Sequence, residues 1–183
     1  VSPTTGAIAD AAWKSSTSLV NTTGTAIQPM ENLGSTFTMI YNGFLYATGG
    51  CTAVNANQSC TAVASYAQLA QVNADGSLGT WFPNDFPSTG TTSLQRTGTP
   101  TVGYNGVIYS VAGCSAMNSA GVQCSTTSLT SNYAKVNATV GDISNNRNPT
   151  DLSAPNGAVP LYGHSTVVLN GYIYLIGGCK TIS

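Results

Sequence analysis

The chain has 183 residues and a mass of 18.6 kDa; 42% are hydrophobic and only 6% charged, with five Lys plus Arg, six Asp plus Glu and a net charge of -1. Soluble domains usually carry about 25% charged residues. So few basic groups cannot neutralise a run of phosphates, which argues against nucleic-acid binding, and no apolar stretch approaches the ~20 residues of a membrane span.

Taken in chain order, residues 1–34 contain Gly6-Ala7-Ile8-Ala9-Asp10-Ala11-Ala12-Trp13, which is similar to Gly76 through Trp81 and predicts a single strand. Phe37 to Cys51 then reads as a β-hairpin turning at Asn42-Gly43. Asn-Gly supplies the two positive-φ residues of a type I′ turn, and the flanks are β-branched and aromatic. The hairpin recurs at Pro100 to Cys114, turning at Asn105-Gly106, and at Ser165 to Cys179, turning at Asn170-Gly171. The turns are 63 and 65 residues apart, and Cys51, Cys114 and Cys179 keep the same spacing. Nearly every residue of these runs is apolar, which predicts strands covered on both faces, with Tyr41, Tyr46, Tyr104, Tyr109 and Tyr174 in a core between successive sheets.

After each of the first two hairpins a Ser/Thr/Asn-rich stretch is expected to be a long loop, about 52–64 and 115–130. A third strand follows at Ser65–Leu69 and at Ser131–Lys135, each leading into Val-Asn-Ala. A tight turn then opens a fourth strand at Asp75–Trp81, reduced in the second copy to Gly141-Asp142-Ile143. Trp81 is expected to pack between sheets, as is Trp13. Four strands in a unit of about 63 residues make one blade of a propeller.

Gly163-His164, the run Val167 to Gly178 and the Asp75-Gly76-Ser77-Leu78-Gly79-Thr80-Trp81 close resemble the kelch repeat. The resemblance covers nearly the whole chain. It implies an all-β, kelch-like β-propeller with two complete four-stranded blades and partial blades at both ends. The expected divisions are 1–34, the fourth strand of a preceding or ring-closing blade plus a connection; 35–98, a blade; 99–162, a blade; and 163–183, the first hairpin of a further, truncated blade. Rings usually hold 4–8 blades, so the expectation is either a longer natural protein or open edges covered by copies of the chain or by a partner. The position preceding the hairpin departs from the family pattern: Gly163-His164 is matched by Gly98-Thr99 and Ser35-Thr36.

Cys51 and Cys60 lie nine residues apart and Cys114 and Cys124 ten, each pair in the stretch after a hairpin. Disulfides Cys51–Cys60 and Cys114–Cys124 are predicted. Cys179 is unpaired within this sequence, its equivalent partner falling beyond the last residue. Zinc would favour closer Cys pairs and further His, and His164 is the sole histidine. Disulfides place the chain outside the cell or on its surface. Three sequons, at Asn21, Asn57 and Asn137, are glycosylation candidates there.

No catalytic, metal or cofactor-binding residues are predicted. One histidine cannot supply a copper site of the kind found in some kelch-like propellers, and no paired carboxylates suit glycoside hydrolysis. Phe82 and Phe86, placed in a connection between blades, are the candidates for ligand contact by stacking. The expected function is non-catalytic: an extracellular or cell-surface propeller in adhesion, scaffolding or ordered assembly. Its expected partners are copies of itself, other surface proteins or glycans. The alternative is a carbohydrate-binding or carbohydrate-active propeller whose catalytic residues lie outside this segment.

Overall fold

The computed structural model describes residues 36–49, 51–54, 56, 60–63, 67–84, 100–117, 124–128, 131–143 and 161–179. Among them every regular element is a β-strand, and every pairing is antiparallel. The expected strand at 6–13 lies outside the described residues.

Three Asn-Gly hairpins form the frame: β1 (Thr36–Tyr41) with β2 (Phe44–Gly49), β7 (Thr101–Tyr104) with β8 (Val107–Ser110), and β12 (Ser165–Leu169) with β13 (Tyr172–Ile176). At each turn both residues have positive φ: 53° and 80° at Asn42-Gly43, 48° and 77° at Asn105-Gly106, 52° and 81° at Asn170-Gly171. This type I′ geometry matches the right-handed strand twist and holds a two-residue register.

The first hairpin is extended by β5 (Ala67–Gln71) and β6 (Phe82–Asn84) into a four-stranded sheet of order β1-β2-β5-β6. The second is extended by β11 (Asn132–Lys135) into a three-stranded sheet, β11-β8-β7. Both third strands are tied to the hairpin turn in the same way: the Val72 amide donates to the Gly43 carbonyl and the Val136 amide to the Gly106 carbonyl, each at 2.8 Å.

Two expectations are corrected. The fourth strand is not Asp75–Trp81 but Phe82–Asn84. Residues 73–77 are spent on a turn: the Gly76 amide donates to the Asn73 carbonyl, and Asp75 Oδ1 accepts from the Ser77 amide and hydroxyl. Leu78 makes only an isolated bridge to Val72. Asp-Gly favours such turns through side-chain to backbone bonds. The Ser/Thr-rich stretches are likewise not simple loops. Each contains a further hairpin, β3 (Cys51–Val54) with β4 (Cys60–Val63) and β9 (Gly113–Met117) with β10 (Cys124–Ser128). Cys51-Thr52-Ala53-Val54 recurs as Cys60-Thr61-Ala62-Val63, and its β-branched residues suit a strand.

The main core lies between the first two sheets. Phe44, Tyr46, Ala67 and Leu69 of the first meet Ile108, Ala134, Val136 and Ile143 of the second. A smaller cluster on the opposite face of the first sheet joins Ala47, Ala70 and Trp81.

Candidate functional site

In β2, alternation sends Phe44, Tyr46 and Thr48 to one face and Leu45 and Ala47 to the other. The first of these faces receives the second sheet. Tyr46, fully buried, donates its hydroxyl proton to the Gly141 carbonyl at 2.7 Å. Burial, with help from the charge of Asp142 and from Tyr41, pushes its phenol up to about 12, so it stays a neutral donor. The Thr48 and Thr101 hydroxyls pair at 3.0 Å across the junction.

Two glycines make this approach close enough. A Cβ at Gly103 would run into the Tyr41 ring, and one at Gly141, where φ is 71°, would lie 2.7 Å from the Phe44 ring. Tyr41 reaches past Gly103 so that its hydroxyl oxygen accepts from the Gly106 amide. One unit later Tyr104 repeats the reach: its hydroxyl lies 3.7 Å from the Cβ position of Gly171. β1 packs on β7, and β7 on β12, in the same order. A single stacking relation therefore occurs twice, each hairpin presenting a forward face to the rear face of the next.

His164 sits at the second junction. It is buried, and neither ring nitrogen has a hydrogen-bond partner. Its Cβ would be 2.8 Å from a Cβ on Gly178. Burial lowers its pKa from the ordinary 6.5, opposed in part by the nearby backbone of Val111. The imidazole is thus held neutral, as a packed residue. Gln68 and the indole nitrogen of Trp81 are further buried polar groups without a partner. No group of three or more His, Cys, Asp or Glu able to hold a metal occurs among the described residues.

Cys114 and Cys124 form a disulfide with Cα atoms 5.6 Å apart. They are not directly opposite: Cys114 faces Thr127 and Cys124 faces Met117, and register shifts along the ladder curl the two strands. The β3–β4 backbone carries the same offset, with Cys51 facing Val63 and Cys60 facing Val54. The side chains of Cys51 and Cys60 lie outside the described residues. Cys179 is free and exposed, and its backbone bridges Tyr162 with bonds of 2.9 and 3.0 Å.

Phe82 is 42% exposed, but on the edge strand β6 rather than in a connection. Phe86, Asn21 and Asn57 lie outside the described residues. Asn137 is exposed, with its Oδ1 accepting from the Thr139 amide at 3.0 Å. No described helix is long and apolar enough to cross a membrane.

The expectation that every hairpin is covered on both faces fails at the third. Val167 pairs with Tyr174 and Leu169 with Tyr172 across β12–β13, and the four side chains share one face. Tyr174 is 45% and Tyr172 69% exposed, because burial here depends on a sheet packing over the hairpin and, among the described residues, no strand covers this face.

No family model and no curated protein matches the chain. The solved structure of YjhT is similar over 80% of this chain and 34% of its own, at 20% identity and a TM-score of 0.47. The chain thus spans about a third of that protein's length.

Proposed function

We propose that the chain is part of a kelch-like β-propeller, outside the cell or on its surface, serving adhesion, scaffolding or ordered assembly rather than catalysis. The observation that carries this reading is the four-stranded sheet β1-β2-β5-β6, built from strands in chain order, with the next hairpin stacked on its face. Radial repetition of such sheets is what a propeller is made of. The Cys114–Cys124 disulfide supports an oxidising location. The charge-poor composition supports self-association, since a net charge near zero favours it. A single histidine and six carboxylates in the whole sequence support a non-catalytic role. Cell fractionation with light scattering on the natural protein tests the reading. Surface or secreted material larger than one chain is expected; a monodisperse, intracellular monomer would overturn it.

One observation favours a carbohydrate-binding alternative: Phe82 offers an exposed aromatic ring at a sheet edge. Glycan binding lost in Phe82→Ala would support it.

A further inference from the structure

The two junctions use equivalent positions but hold different polar groups. Counted from the Asn of each turn, Thr48 and Val111 are equivalent, as are Thr101 and Thr166. At the first junction the Thr48 and Thr101 hydroxyls pair, and the Tyr46 hydroxyl donates to the Gly141 carbonyl. At the second, Val111 offers no hydroxyl, and Thr166 Oγ1 is shielded from solvent without a hydrogen-bond partner. His164, two residues earlier and beside the backbone of Val111, adds both of its ring nitrogens to the buried polar atoms without a partner. Buried polar groups are nearly always paired in native proteins. Three exceptions at one junction set it apart.

One of these groups titrates under mild conditions. His164 is the sole histidine; carboxyls ordinarily titrate near 4, and thiols and phenols above about 8. A neutral imidazole carries one N–H, whereas the imidazolium carries two and a full charge.

The elements packed around the ring offer that charge no partner among the described residues. The second sheet turns Thr101, Gly103 and Ile108 to the first sheet, so alternation turns Tyr104, Tyr109, Tyr133 and Lys135 toward the third hairpin. β9 and β10 contain no charged residue, and their cysteines are disulfide-bonded. β12 and β13 contain none either, and Tyr172 and Tyr174 lie on the opposite face. The Tyr162–Cys179 bridge beside the ring adds a phenol and a thiol. The full charge in this set is the Lys135 ammonium, which has the sign of the imidazolium. Of the described carboxylates, Asp75 caps the turn after β5 and Asp142 acts on Tyr46 at the first junction. A buried charge without a partner either returns to water or does not form.

We infer that His164 makes the second junction an acid-sensitive hinge: protonation of the ring parts the third hairpin from the second sheet, while the first junction stays closed. The open form binds a proton near pH 6.5 that the closed form resists. Opening therefore grows as pH falls below 6.5, by up to about tenfold per pH unit. The hinge concerns how the sheets hold together and does not depend on the adhesion or assembly reading.

Hydrogen exchange of single amides, read by NMR and corrected for the intrinsic effect of pH, separates the two junctions. The Gly113 amide donates to the Leu161 carbonyl across the second junction, and the Gly106 amide to the Tyr41 hydroxyl across the first. From about pH 7.5 to about pH 5 the opening constant at Gly113 is expected to rise about tenfold or more, and that at Gly106 to change by less than about twofold. His164→Gln, which cannot protonate, is expected to abolish the rise. Val111→Thr gives Thr166 a hydroxyl to pair with, and is expected to reduce opening at Gly113 at both pH values while keeping the rise. The C2-proton resonance of the wild-type ring is expected to titrate below 6.5. A Gly113 constant that is flat with pH, a rise shared by Gly106, or a rise that persists in His164→Gln would each overturn the inference. So would a wild-type ring that titrates at 6.5 or above, a result that needs no variant.

Discussion

The first and third hairpins share one pattern and differ in environment. Tyr46 and Tyr174 hold the same position, four residues after the Asn of the turn, yet Tyr46 is fully buried and Tyr174 is 45% exposed. Turn geometry and register are the same in both, so they are properties of the local sequence. Burial is not local. It depends on a neighbouring sheet and on the glycines, Gly103 and Gly141, that let that sheet come close.

Truncating the two tyrosines breaks this comparison most sharply. Tyr46→Ala removes a filled core position and is expected to cost about 3–5 kcal/mol, while Tyr174→Ala costs under about 1 kcal/mol. Denaturant unfolding of both variants measures the difference; equal losses would mean that the third hairpin is as well packed as the first.

The disulfide-bearing hairpin β9–β10 sharpens the comparison next. Replacing Cys114 and Cys124 together by Ser is expected to cost about 2–3 kcal/mol through loop closure, with the unfolding midpoint as readout. No loss would show that the cross-link does not restrain the unfolded chain.

Gly103→Ala places a methyl against the Tyr41 ring and is expected to cost about 1–3 kcal/mol. Tyr41→Leu, which copies the residue of the third hairpin, is expected to recover part of that loss in the double variant. Additive losses would show that the two positions do not touch.

The smallest effect is expected from pH. His164 is held neutral by burial, so its pKa lies below the ordinary 6.5. The unfolded chain therefore takes up a proton that the folded chain resists. Stability is complete above 6.5 and declines as pH falls below it and on through the lowered folded value. Tm against pH for the wild type and His164→Gln checks this: the variant is expected to show the shallower acid slope, and identical slopes would remove His164 from the junction.

What the sequence made legible was chiefly local. Asn-Gly between β-branched and aromatic runs specifies a hairpin with its turn type, and cysteines ten residues apart in one stretch foreshadowed Cys114–Cys124. Short-range competition was harder to read. Asp75-Gly76 reads as the opening of a strand, but the Asp75 carboxylate caps the turn instead and delays the edge strand to Phe82. The repeated Cys-Thr-Ala-Val was present in the sequence, but its Ser/Thr-rich setting resembles a loop. Least legible were Gly103 and Gly141, whose role exists only once two sheets are brought together.

Face-to-face stacking of successive hairpins is tested most directly by a cross-link at the first junction. The Thr48 and Thr101 hydroxyl oxygens are 3.0 Å apart, though 53 residues apart in sequence. Cysteines placed at both positions, in a chain carrying Cys179→Ser, should join on mild oxidation within a single chain, giving a linked peptide pair on non-reducing mass mapping. Free thiols at 48 and 101 in folded, oxidised protein would contradict the stacked arrangement.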